Sequence, residues 1–138
     1  MKQLCIEISS ERNRIKEVEA LMLKANKEFG LTDEQYGKTM IAITELVMNA
    51  IVHGNKEDIT KKVCITIEFS KNEMKVVIED EGGGFNISDL PDPTELERLL
   101  DMHGRGVYIA KAMVDKLDYK HNSKGTEFIL LIKKKQNS

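Results

Sequence analysis

Glu45, Asn49 and His53 recur every four residues in a stretch, Asp33 to about His53, whose apolar residues keep a helical period. Four residues is close to one helical turn, so the three side chains line one face. Ile43, Leu46, Val47, Ala50 and Ile51 supply the packing around that polar stripe. A buried, unpaired carboxylate or carboxamide among such residues costs a few kcal/mol. Solvent exposure, internal hydrogen bonds or a ligand would each remove the cost. A second candidate is Asp80, in phase with Met74, Val76 and Ile78 of a strand pattern and so aimed at the same side as the core. It opens the run D-E-G-G-G-F, whose glycines Gly82, Gly83 and Gly84 permit close backbone approach or positive φ. Further on, Gly104, Arg105 and Gly106 lead through Val107 into another helical pattern. A glycine-rich turn entering a helix N-terminus is an anion site by geometry, through free amide N–H groups and the dipole. Thr126 shares a strand face with Phe128, Leu130 and Ile132, so its hydroxyl also looks toward the core.

Composition bounds the functions open to these residues. The 138 residues, 41% apolar and 32% charged, suit one domain (1–138) with a real core. A net charge of −2 argues against nucleic acid as a direct partner, since no basic excess exists to neutralise phosphates. The run Lys133-Lys134-Lys135 reads as a solvated tail. No stretch approaches the roughly 18 apolar residues of a membrane span, and no signal-peptide core opens the chain. Cys5 and Cys64 lie singly within strand patterns and fit reduced structural thiols in a cytoplasmic protein. His53, His103 and His121 lack zinc-site spacing.

The elements that must position the candidates follow in order. Leu4 to Ile8 alternates as a half-buried strand. Ser9 or Ser10 can cap a helix from Glu11 to Phe29, with Ile15, Val18, Met22, Ala25 and Phe29 on its apolar stripe and Gly30 closing it. Thr32 and Gln35 form a capping-box pattern for the next helix, Leu31 can staple onto Tyr36, and Gly54 is placed for a left-handed cap. Two alternating strands, Val63–Phe69 and Met74–Ile78, are joined by a turn. Residues 86–103 hold both prolines and a short helical pattern; the length of this connection suits a mobile cover. A helix from about Val107 to Leu117 precedes a closing hairpin, Tyr119–His121 and Thr126–Lys133. Short links make the sheet mixed but mainly antiparallel, with one wet face. The three long helices then cover the other face, giving an α/β (α+β) two-layer sandwich.

The motifs in one order, E-L-V-M-N-A-I-V-H-G, D-E-G-G-G-F, G-R-G-V-Y-I and G-T-E-F, resemble the GHKL superfamily of ATP-binding domains with the Bergerat fold. Within it the chain is most similar to the stand-alone serine kinases that act as bacterial anti-sigma factors. The resemblance implies ATP or ADP and Mg²⁺ as cofactors, Asn49 as the metal ligand, and Glu45 as acceptor of the proton from the attacking hydroxyl. A Glu45 that merely orients a magnesium-bound water is the alternative. Asp80 would accept from the adenine amino group with help from Thr126, Gly82 and Gly84 would pass beneath the base, and Gly104, Arg105, Gly106 and Val107 would wrap the phosphates. Residues 86–103 would be the ATP lid. His53 reads as a helix-end residue, His103 as loop or lid, and Arg105 as a phosphate or partner contact or a solvated arginine. The implied partners are a STAS-type anti-anti-sigma protein, a sigma factor and a second copy of the chain, joined through the first strand and helix. Two departures, the glycine turn without a third glycine and the lid Leu90-Pro91-Asp92-Pro93 without an aromatic-Pro-Phe box, weaken a sensor histidine kinase reading. That reading and a non-catalytic ATP-gated protein binder are the competing functions.

Overall fold

The computed structural model of the chain describes residues 1–82, 105–122 and 124–135. The expected lid at 86–103, with His103, Gly84 and Gly104, lies outside them. Five strands form one sheet: β1 (Lys2–Ser9), β2 (Lys62–Phe69), β3 (Glu73–Glu79), β4 (Lys116–Asn122) and β5 (Gly125–Lys133). Their order is β1-β2-β3-β5-β4. All four ladders are antiparallel, so the parallel component of the expected mixed sheet is absent among the described residues.

Alternation decides which face is covered. Ile8, Val63, Ile65, Ile67, Met74, Val76, Ile78, Phe128, Leu130 and Ile132 are buried on one side, with Leu4 and Ile6 partly so at the edge strand. Cys5 and Cys64, both free thiols, stand on the opposite side of β1 and β2. Three helices cover the first face: α1 (Ile15–Phe29), α2 (Asp33–Asn49) and α3 (Arg105–Met113). From α1 come Val18, Met22, Ala25 and Phe29, the stripe read from spacing, and Gly30 ends the helix at φ 81° in the left-handed region. From α2 come Ala42, Ile43, Leu46 and Val47, none more than 1% exposed. Each large aliphatic among them contributes about 1.5–3 kcal/mol of burial. No helix among the described residues is long and apolar enough to cross a membrane.

The ends of the helices depart from local expectation where tertiary contacts outweigh it. Neither Ser9 nor Ser10 caps α1, which begins as a 3₁₀ turn, Arg12–Arg14; Ser10 Oγ instead donates to Lys61 O at 2.7 Å. The Thr32–Gln35 capping box forms, and Gln35 does a second job. Its Nε2 donates to Lys133 O at 2.9 Å, tying α2 to the end of β5. Lys134 N donates to Asn72 O and its ammonium sits 5.6 Å from the centre of the Phe29 ring, so the lysine run is docked backbone with exposed side chains and not a solvated tail. The last helix stops at Met113, and Leu117 belongs to β4, because residues from Lys116 onward pair with β5. Helical periodicity and strand alternation overlap there, and only the ladder resolves them.

Thr32→Ala removes one half of the capping box and is expected to cost about 1 kcal/mol. Urea unfolding should show a lower midpoint with an unchanged slope; an unchanged midpoint would show that Gln35 alone holds this helix start.

Candidate functional site

After Asn49 the second helix does not end in a left-handed cap. Residues Ala50–Gly54 widen into a π turn, with Asn55 N donating to Ala50 O at 2.8 Å, and the left-handed conformations fall on Lys56 and Glu57. The widened turn slows the rotation of the helix about its axis. His53 therefore swings to the surface while Asn49 is buried at 7% exposure, and the three-residue stripe becomes a two-residue one. Gly54 is set directly beneath Asp80. A β-carbon on Gly54 would lie 2.3 Å from Asp80 Oδ2, so no other residue fits without moving that carboxylate.

Asp80 prolongs the β3–β5 ladder past the last strand pair. Its N–H donates to Thr126 O at 3.0 Å, and its Oδ1 accepts from Thr126 N at 3.1 Å and from Gly82 N at 3.0 Å. Both of these side-chain bonds fall on Oδ1, which leaves Oδ2 above Gly54 for a further donor. Burial pushes the Asp80 carboxyl above its ordinary value, against the opposing pull of the two backbone amides and of the charges of His121 and Lys61. The backbone packs closely on both sides. A β-carbon on Gly82 would meet Gly54 O at 1.9 Å, and one on Gly125, at φ 147°, would meet Asp80 O at 2.0 Å. Thr126 is buried, and its Oγ1 lies 2.8 Å from Nδ1 of buried His121 on β4. Asn55 completes this corner: its Oδ1 accepts from Glu81 N at 2.8 Å, and its Nδ2 donates to Ser10 Oγ and Lys62 O.

The other end of the site joins α2 to the start of α3. A β-carbon on Gly106 would stand 3.0 Å from Glu45 Oε2 and 3.1 Å from Asn49 Nδ2, so the bare backbone of this turn rests against both side chains. Val107 behind it is fully buried. The amide nitrogen of Asn49 is buried with no hydrogen-bond partner among the described residues. Such an orphan costs on the order of 1–3 kcal/mol. Rotation of the amide about its last bond can turn either its nitrogen or its oxygen to an incoming group.

Of the residues singled out by spacing, Glu45, Asn49, Gly106 and Val107 thus come together at one end, and Asp80, Gly82 and Thr126 at the other. Arg105 opens α3, while Gly84 and Gly104 lie outside the described residues. Spacing missed Gly54 as a seat for Asp80, and it missed Asn55, His121 and Gly125. Gly54 looks like a helix stop from its neighbours alone, and the partners of Gly54 and Gly125 are distant in sequence, so no local signal could reveal them.

The raised Asp80 carboxyl carries a stability consequence. An acid whose folded pKa lies above its unfolded value binds protons more tightly when folded, so stability falls as pH rises from its ordinary value through the folded pKa. Asp80→Asn keeps an oxygen for both amides and removes the desolvated charge. Unliganded Asp80→Asn is expected to melt at or above the parent temperature at neutral pH, the gap closing below about pH 4, while ATP uptake by calorimetry is lost; lower stability at neutral pH would show the charge to be structurally favourable. Gly54→Ala, by pressing on Oδ2, is expected to weaken ATP uptake about tenfold or more with the far-UV dichroism retained; parent-like uptake would show that the seat is not required.

Comparison with known proteins places this geometry. Residues 8–132 match the family described as histidine kinase-like ATPase domain. The anti-sigma F factor of Clostridium perfringens is 32% identical over 110 residues, covering 78% of this chain and 77% of the relative. The serine-protein kinase RsbW of Bacillus subtilis is 25% identical over 100 residues, covering 68% of this chain and 62% of the relative. Among solved structures, the RsbU and RsbW domains of a Mycobacterium tuberculosis protein superpose with a TM-score of 0.74 at 18% identity. That superposition covers all of this chain and 34% of the other, and it speaks for the fold. With the match running from near the end of the first strand to near the end of the fifth, the chain belongs to the family of histidine kinase-like ATPase domains.

Proposed function

We propose that this protein is a protein serine/threonine kinase dependent on ATP and Mg²⁺, which phosphorylates a STAS-type antagonist and sequesters a sigma factor. The observation that carries the reading is the buried, partnerless amide nitrogen of Asn49, one turn from Glu45 and packed with it against the backbone of Gly106. The names of the C. perfringens and B. subtilis relatives, an anti-sigma factor and a serine-protein kinase, support it.

ATP binding follows from membership of an ATPase-domain family, and each part of the site has a task toward that ligand. Asp80 Oδ2 accepts from the adenine amino group. Thr126, held through its hydroxyl by His121, assists. Gly82 lets the backbone run close to the base. Arg105, Gly106 and Val107 offer amide N–H groups and the start of α3 to the phosphates, and Gly84 and Gly104, assigned the same tasks by the resemblance, lie outside the described residues. Asn49 would hold a hard cation through its amide oxygen, which is neutral and leaves the ion's charge for the triphosphate, while its buried Nδ2, a donor, would be satisfied by an acceptor such as a phosphate oxygen. Bound there, Mg²⁺ supplies charge neutralisation of the triphosphate. Glu45 takes the proton from the acceptor hydroxyl, either directly or through a water. Phosphoryl transfer asks mainly for positioning and charge neutralisation, and these residues provide both. Residues 1–138 act as one unit in the cytoplasm, as a homodimer through the first strand and helix.

Glu45→Gln keeps the size of the side chain and removes the base. Transfer from ATP to the antagonist is expected to fall by roughly 10²–10⁴-fold with ATP uptake retained. Acid-stable phosphoserine or phosphothreonine in the antagonist is the expected product. Full transfer by Glu45→Gln would remove the base assignment, and phosphate labile to acid would point to phosphohistidine and overturn the kinase class.

A further inference from the structure

Glu45 faces two ways. On one side it meets the turn at Gly106; on the other it closes a groove of about 420 Å³ on the outer surface of α2. Tyr36, Met40, Ile41, Thr44 and Glu45 line it from α2, at spacings that share one helix face, and Glu19 closes it from α1. The floor is apolar. Ile41 keeps 45% of its surface exposed and lies beside partly buried Tyr36 and Met40, so the apolar floor is continuous and open to solvent. Both carboxylates at the margins are without an ion-pair partner among the described residues. The charge of Glu19 is felt within the groove, since it adds to burial in pushing the Tyr36 hydroxyl above its ordinary value.

We infer that this groove receives the segment of the partner protein that carries the acceptor hydroxyl, and that it selects a segment with one large apolar side chain beside a lysine or arginine. The inference rests on the kinase reading for the role of Glu45 and goes beyond it in naming the chemistry of the substrate segment. Two features of the groove fix that chemistry. Exposed Ile41 with Tyr36 and Met40 offers an anchor pocket for an apolar side chain, the kind of contact that dominates docking energy. Glu19, paired with no cation among the described residues, complements a basic neighbour and raises the rate of encounter in a salt-dependent way. Since Glu45 belongs to both the groove and the phosphate end, a segment anchored at Ile41 presents its hydroxyl to the base without further movement of α2.

Fluorescein-labelled synthetic peptides with one central serine test this on the full chain, in the presence of Mg²⁺ and a non-hydrolysable ATP analogue. One carries Arg and Leu beside the serine, a second Glu and Leu, a third Arg and Ser. Fluorescence anisotropy is expected to show the Arg–Leu peptide binding tightest, by about tenfold over each of the others. Glu19→Lys should reverse the preference between the Arg–Leu and Glu–Leu peptides, and Ile41→Asp should weaken both by about tenfold. Calorimetric uptake of ATP should be the same in both variants, which also reports that they fold. Equal binding of the three peptides, or an order unmoved by Glu19→Lys, overturns the inference. The same peptides with ATP separate it from the kinase reading: binding with the expected order and no transfer removes the kinase and keeps the groove, whereas transfer without peptide preference removes the groove and keeps the kinase.

Discussion

Two hydrogen bonds and one close contact of the Asp80 carboxylate hold three parts of the chain in one place. Its Oδ1 fastens the start of β5 through Thr126 and the turn after β3 through Gly82, and its Oδ2 sits on Gly54 at the end of the second helix. The site exists only while these three backbones are in contact. Glycine at 54, 82 and 125 is what allows the approach, since a single β-carbon at any of them would overlap an atom of the neighbouring strand or turn. Burial disfavours the charge on this carboxyl, and a hydrogen-bond donor brought to Oδ2 would offset part of that cost.

The second helix carries the opposite compromise. One side, with Ala42, Ile43, Leu46 and Val47, belongs to the core and gives the layer its cohesion. Another side holds Glu45 and Asn49, one of them buried with an unsatisfied nitrogen. The π turn after Asn49 lets these demands coexist. The widened turn spans Ala50–Gly54, with His53 at the surface and Gly54 under Asp80. The backbone irregularity is thus located where two halves of one site are joined, a common place for such turns.

Local sequence was most informative where local physics decides. Helix caps at Thr32 and Gly30, the stripe of the first helix, the alternation of β2, β3 and β5, and the inward aim of Asp80 and Thr126 all follow from periods of 3.6 and 2 with their punctuation. It failed at segment ends that a distant partner settles. Leu117 fits a helical stripe as well as a strand, and pairing with Leu130 makes it strand. Ser10 is a good cap by type, yet Lys61 and Asn55 claim its hydroxyl. Lys134 is charged and near a terminus, yet Phe29 and Asn72 dock it.

By itself the order of motifs determined the family, the layer architecture and the residue types that could meet a nucleotide, because each motif is a short-range constraint on backbone and charge. Only the folded chain decided that His53 leaves the stripe, that Gly54 supports Asp80, that His121 holds Thr126, and that Glu45 belongs to two surfaces at once. Gly54 meets Asp80 and Glu45 meets Gly106 across tens of positions, and the His121–Thr126 contact depends on the pairing of β4 with β5. Their energies depend on which backbones touch, and no local window contains that information.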